Sequence, residues 1–397
     1  MLKLRASYGQ IGDDMIQVGS RWPYMTTWDM RTNADPNDYR FMQTLTGGRS
    51  PYNVYYESGI GNENIHWETV TKFNFGIDYS FLKNVVSGNV EFFKDKRRDI
   101  FIAGSNRSVP SYFGAAPAST NMGAVDTKGY ELEVRLNKQL NKDLRLWGNI
   151  AYAHAKSMVL ERDDPQLLPS YMKQAGFTID QTRSHVDLGY INNWDELYGS
   201  TAFDATDGLR TPGGYMILDF NGDGVIDKND QVPVSYSTTP QNTFNVNLGV
   251  DYKGWSFFAQ FYGATNVDRY VPYVSFEDQT RHTIFKEGTY WTKDNQNADG
   301  TMPRMWAILP GYSKGTRYLF DASYLRLKNV ELSYTFTNDQ RWVKKIGITN
   351  LKLYVNGNNL WVYTRMPDDR EANYGDGLAP GDGAYPTMKR VNFGLRI

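Results

Sequence analysis

Residues 219–230, DFNGDGVIDKND, place oxygen-bearing side chains at the first, third, fifth, ninth and twelfth positions of a twelve-residue stretch. Asp219, Asn221, Asp223, Asp227 and Asp230 are hard oxygen donors, and the backbone carbonyl of Val225 at the seventh position completes the ligand pattern of a calcium loop. Gly224 stands sixth, where such a loop must turn sharply. A donor set of this kind favours Ca2+ over zinc or copper. The twelfth position carries Asp230 instead of the glutamate of a regulatory EF-hand, and no helix pair flanks the stretch. The expected cofactor is therefore a structural calcium ion that clips a loop. A metal-free Asn/Asp/Gly turn is the plainer reading, but it leaves five ligand positions in register without a reason.

Other chemistry is sparse. Cysteine is absent, which removes disulfides, thiolate zinc sites and cysteine nucleophiles together. The four histidines, at 66, 154, 185 and 282, show no metal-ligand spacing. Ser170 and Lys173 match the S-x-x-K pattern of serine acylases, but no K-T-G segment accompanies them. Acidic pairs such as Asp163 and Asp164 sit beside proline, where turn chemistry accounts for them. No enzyme is expected. The formal net charge of −1 and the dispersed lysines and arginines give no reason to expect a nucleic-acid partner.

The elements that position the calcium-like stretch read as strands. Aromatic residues make up 15% of the 397, with 36 glycines and a hydrophobic share of only 40%, a mix suited to many strands and polar loops. Period-two alternation recurs throughout: Phe73, Phe75, Ile77 and Tyr79 alternate with polar residues or glycine, as do Tyr130, Leu132, Val134 and Leu136. Phe244, Val246, Leu248, Val250 and Tyr252 repeat the pattern, and Val391, Phe393, Leu395 and Ile397 close the chain with it. About ten strands result. Each has one apolar and one polar face.

Connections alternate strictly between short ones, near 82–84, 139–143, 253–254 and 338–349, and long ones covering 10–66, 103–123, 159–240, 265–320 and 364–387. Structureless loops of that length are uncommon in compact soluble domains and normal on the outer face of a bacterial outer-membrane barrel. Segments 124–138, 143–156 and 322–336 meet the ~9–11 residues needed to cross a bilayer at a tilt. Trp67, Tyr79, Phe92, Phe93, Tyr252, Trp255, Tyr334, Phe336, Trp361 and Tyr363 cluster near strand ends and read as an aromatic girdle. In YLRLKNVELSYTF the apolar phase slips between Leu327 and Val330, which predicts a bulge. Aromatics of the long connections, among them Trp22, Trp194, Tyr198, Tyr290, Trp291 and Trp306, are expected mostly to pack small loop cores and in part to meet a ligand. The fold class predicted is all-β, an antiparallel transmembrane barrel portion with short periplasmic turns.

Several segments together resemble the C-terminal half of the SusC/RagA-like TonB-linked outer-membrane transporters of Bacteroidetes. They are NIHWETVTKFNFGIDYSFLKNVVSGNVEFF, NMGAVDTKGYELEV, PGGYMIL before the calcium-like stretch, NTFNVNLGVDYKGWSFFAQFYG, ASYLRLKNVELSYTF, LKLYVNGNNLWVYT and YPTMKRVNFGLRI. The resemblance implies a 22-stranded barrel closed by an N-terminal plug, driven by the TonB complex and capped by a SusD-like lipoprotein that helps capture glycans or peptides. Residues 1–397 would then be the C-terminal part of the barrel, lacking plug and signal peptide, with 159–240 a long extracellular loop in the cell outer membrane. Its apolar faces would meet outer-membrane lipid, and contact with TonB would run through the missing N-terminal part. The rival expectations are a secreted, calcium-stabilised β-protein that binds carbohydrate and a surface hydrolase using loop carboxylates.

Overall fold

The computed structural model describes residues 1–14, 22–31, 54–114, 117–203, 211–270, 291–296, 315–338, 340–345, 347–366 and 387–397. Ten strands form one antiparallel sheet in which every strand pairs with its sequence neighbours. They are β1 (Leu2–Asp13), β2 (Glu68–Phe81), β3 (Val86–Ile102), β4 (Thr120–Gln139), β5 (Leu144–Glu161), β6 (Asn242–Tyr252), β7 (Trp255–Thr265), β8 (Tyr324–Thr337), β9 (Asn350–Thr364) and β10 (Arg390–Arg396). The connections alternate as expected, so all the long ones leave one end of the sheet. At the other end, β6 and β7 are joined by Lys253 and Gly254 alone, both at positive φ (47° and 86°), which matches the twist a two-residue hairpin requires.

Strands β4 and β5 reach 20 and 18 residues, longer than the segments expected from the sequence. Their pairing continues past the apolar stretch as far as Ala124 opposite Glu161, because hydrogen bonding along a hairpin does not stop where hydrophobicity does. The predicted bulge is present. Lys328 is the extra residue on β8 between Leu327, opposite Phe261, and Asn329, opposite Gln260. It restores the phase, placing Leu325, Leu327, Val330, Leu332 and Tyr334 on one face.

That face is apolar and uncovered: Leu4 is 63% exposed, Leu248 46% and Phe393 83%. Aromatics gather on it at both ends. Trp255 meets Tyr334 at 4.9 Å, and Tyr334 meets Phe336 at 4.6 Å, near the short turns. Phe92, Tyr130 and Tyr152 follow one another at 6.4 and 5.9 Å toward the other end. Phe93, expected in the same girdle, lies on the opposite face. Strand alternation sends it inward, where its ring covers Gly129, its direct partner on β4. Trp147 over Gly249 and Tyr354 over Gly394 repeat this pairing of an aromatic with a cross-strand glycine. No helix among the described residues is long and apolar enough to cross a membrane.

Candidate functional site

Two regions gather the polar chemistry. The first is the inner face of the sheet. Arg5 on β1 donates to Asp78 on β2 at 3.0 and 2.9 Å and also to Glu91 on β3. Asn74 donates to Glu91 at 3.2 Å and Asn89 to Glu133 at 3.2 Å. Farther along, an amide ladder crosses four strands: Gln260 donates to Asn245 at 3.3 Å, Asn329 to Gln260 at 2.5 Å, and Asn358 to Asn329. Asn392 on β10 adds a bond to Asn356 at 2.8 Å. Three rungs join residues in direct register, Asn329 with Gln260, Asn358 with Asn329 and Asn392 with Asn356, while Gln260 reaches diagonally to Asn245, two residues from its direct partner Asn247. Between carboxylates and amides lies an open hollow of about 990 Å³, lined by Glu131, Asn245, Gln260, Tyr262, Lys328 and Asn329. Lys328, thrust inward by its bulge, stands 5.2 Å from the centre of the Tyr262 ring. Such a wall offers donors, acceptors and aromatic surface to a polar solute.

The second region is the long connection 162–241, whose turn at 219–230 carries the six sequence-predicted ligands. Asp219 accepts from the N–H of Gly222 at 2.7 Å and of Gly224 at 2.9 Å, and Asp223 from Val225 at 2.9 Å. Asn221 donates to Asp223 at 2.9 Å. Gly224 has φ +87°, the sharp turn expected of the sixth position. Val225 and Ile226 pair in parallel with Ala202 and Phe203. Asp227 caps a 3-10 turn at Lys228–Asp230 by accepting from Asn229 N–H at 2.6 Å. Asp230 is fully buried and takes three backbone N–H groups, those of Phe220 (2.8 Å), Asn221 (3.3 Å) and Asp227 (2.8 Å).

Each Asp219 and Asp223 oxygen accepts one of these bonds, and an ionised carboxylate has about four acceptor sites, so both keep acceptor capacity. Asp230 instead satisfies the backbone of the turn. Among the described residues, no three His, Cys, Asp or Glu side chains converge in a metal-holding group. Burial and the neighbouring Asp230, Asp227 and Asp223 push the Tyr171 phenol up; its hydroxyl donates to the Asn229 carbonyl at 2.7 Å. Among the described histidines, only His185 reaches the turn, its Nε2 lying 2.7 Å from the Asp227 carbonyl; His282 lies outside the described residues.

Behind the turn sits a small core of Tyr190, Tyr215, Ile217, Ile226, Trp291 and Tyr318. The Arg317 guanidinium stands 4.2 Å from the Tyr190 ring centre and 5.0 Å from that of Tyr215, and donates to Asp187. Burial lowers the pKa of Arg317, but the Asp187 hydrogen bond and charge outweigh it, and the net shift is upward. Burial raises the Tyr215 and Tyr318 phenols, whose hydroxyls bond each other. Trp291 donates to Asn192 at 2.9 Å, so this loop aromatic packs. Trp194 and Tyr198 are exposed and stacked on one another at 6.2 Å, while Tyr290 and Trp306 lie outside the described residues. Arg317 escaped the sequence reading because its partners at 187, 190 and 215 are remote in the chain.

Comparison with known proteins gives this arrangement a setting. The family model described as "TonB dependent receptor-like, beta-barrel" matches residues 1–360. TonB-dependent receptor P3 of Formosa agariphila is 24% identical over the whole chain, which covers 39% of that protein. TonB-dependent receptor SusC of Bacteroides thetaiotaomicron is 23% identical over 85% of the chain and 32% of its own length. The structure of the RagAB peptide transporter superposes with a TM-score of 0.67 at 20% identity, covering 99% of the chain and 40% of that chain. The chain thus spans about 40% of the length of such relatives.

Proposed function

Because the chain belongs to the TonB-dependent-receptor-like β-barrel family, we propose that it supplies ten strands of the barrel wall in an outer-membrane importer. That importer takes up glycans or peptides with a SusD-like surface lipoprotein and draws its energy from the TonB complex. One observation carries this reading: a ten-stranded meander is apolar and uncovered on one face, hydrogen-bonded and polar on the other, and has every long connection at one end. A secreted β-protein would leave that contiguous apolar face in water, where exposed patches of such extent are rare. In lipid the same face is matched, and sheet hydrogen bonding satisfies the backbone.

The residues divide the work. The outward apolar rows meet lipid, the Arg5–Asp78–Glu91 cluster and the amide ladder line the lumen, and the outer segment 162–241 carries contacts with substrate and lipoprotein. Calcium belongs to the same proposal. Asp219, Asn221, Asp223, Asp227 and the Val225 carbonyl would hold it, with Asp230 closing the turn, and its part would be to brace the segment. No covalent chemistry is assigned to the chain.

The test is fractionation of cells expressing the full-length protein, followed by uptake of labelled oligosaccharide and peptide with TonB intact or deleted. Recovery in the outer membrane, heat-dependent gel mobility and TonB-dependent uptake are expected. Recovery with soluble protein and no heat-dependent mobility would overturn the reading.

A further inference from the structure

The outward face changes chemistry abruptly on β3, β4 and β5. Toward the long connections, the row Val90, Leu132, Tyr152 and Phe244 is followed two residues later by Phe92, Tyr130, His154 and Asn242. The next row is Lys94, Lys128 and Lys156, directly opposite one another across three strands. Beyond it Lys96 stands opposite Asp126, and Arg98 follows on β3. Successive rows on one face are about 6.6 Å apart along the strand, so the lysines lie one step outside the aromatic row. Lys94, Lys96, Lys128 and Lys156 are exposed.

Asp126 is the carboxylate paired within this patch: Arg98 meets it at 2.7 Å and Lys94 at 3.5 Å. Among the described residues, Asp126 is thus the acidic partner set against five cations. Like charges directly opposite one another in a sheet repel, and this arrangement is unfavourable by itself. It becomes favourable when an anion sits above the row, and the height of the row relative to the apolar band determines which anion can do so. On the membrane reading above, on which this inference rests, the lysines sit at headgroup level with lipid-facing aromatics beneath them.

We propose that Lys94, Lys128 and Lys156, with Lys96 and Arg98, form a docking surface for the phosphate-bearing headgroups of outer-leaflet glycolipid. A phosphate offers several acceptor oxygens to these cations, and basic residues at a membrane surface draw anionic lipid. The acyl chains of the same molecule would run down the apolar rows past Phe92, Tyr130 and Tyr152. The lipid would be held at both ends of its amphipathic length, on the outside of the barrel and away from the lumen.

The experiment uses full-length protein in nanodiscs, with native mass spectrometry counting retained lipid A, the same lipid enzymatically dephosphorylated, or phosphatidylcholine. In the variant combining Lys94→Gln, Lys128→Gln and Lys156→Gln, apparent affinity for lipid A is expected to fall about 100-fold, at roughly fivefold per lysine. The corresponding Lys→Arg variant is expected to retain lipid A. So is a control with Lys83, Lys138 and Lys142 at the short-turn end changed to Gln. Equal retention of lipid A by wild type and the Gln variant sinks the proposal, as does equal retention of phosphorylated and dephosphorylated lipid, or full displacement by millimolar inorganic phosphate. A wild-type protein that does not enter nanodiscs with heat-dependent mobility would instead overturn the membrane reading.

Discussion

The indole of Trp147 on β5 lies across Gly249 on β6 so closely that a Cβ on the glycine would stand 2.0 Å from the ring. Trp147 is anchored there by its Nε1, which donates to Asp251 at 3.1 Å. The glycine is therefore required by the ring. Gly249→Val is expected to cost about 1–3 kcal/mol by overpacking and to lower the temperature of the heat-dependent mobility shift. Gly9, with nothing within 4 Å of its notional Cβ, is the control: Gly9→Ala should leave that temperature unchanged. Equal shifts in the two variants would remove the steric explanation.

Removing calcium is expected to loosen the 219–230 turn and leave the sheet intact. Equilibrium dialysis of the full-length protein should find calcium that the Asp219→Ala, Asp223→Ala double variant lacks. Excess calcium should protect the turn from proteolysis by roughly 2.7 kcal/mol at a hundred times its dissociation constant. Stoichiometric calcium retained by the double variant would refute the site.

Arg317 holds two tyrosine rings and a nearly buried carboxylate, the Asp187 side chain being 8% exposed. Arg317→Ala leaves that carboxylate without this partner, at a cost of about 3 kcal/mol or more. Hydrogen exchange should therefore accelerate at 187–190 and 215–217 while the barrel strands stay protected. Arg317→Lys is not expected to restore protection, because an ammonium lacks the planar stack. Restoration by Lys would show that charge alone suffices.

Two outer carboxylates should respond to pH in opposite directions. The hydrogen bond from Arg107, at 2.8 Å, holds Asp163 below its ordinary value of 3.8. Its contribution is therefore present above pH 3.8 and lost as pH falls through the lowered value. Burial raises Asp268 above 3.8, so its contribution is full below pH 3.8 and declines as pH rises through the raised value. Asp163→Asn should speed exchange at 104–108 at neutral pH, and Asp268→Asn should flatten the pH dependence near 236. The same sign of response at both sites would contradict this assignment.

Legibility in the sequence followed the range of the interactions. Period-two alternation is local, and it exposed the strands, their phase and even the slip at Lys328. The sharp turn at Gly224 was equally readable because the residues that shape it lie within one short stretch. Phe93 was placed on the wrong face, since proximity to a strand end does not show which way a side chain points. The Arg317 cluster and the lysine row had no local signature. The first brings together residues 103 apart, as in the Tyr215–Tyr318 pair. The second emerges only when the registers of three strands are superposed.

Pairing every strand with its sequence neighbours also bears on the order in which the wall is built. Closing a loop costs entropy that grows as about 1.5RT ln n, so the hairpin closed by Lys253 and Gly254 meets its partner at least cost, and β5 meets β6 across 162–241 at the greatest. Assembly is thus expected to proceed as preformed hairpins that zip together later, with the β5–β6 seam among the last to close. Pulse-labelled hydrogen exchange during refolding into detergent should protect the amides bonded across the β4–β5 and β6–β7 hairpins before those bonded across the β5–β6 seam, and the reverse order would show that the long segment folds first and draws the strands in behind it.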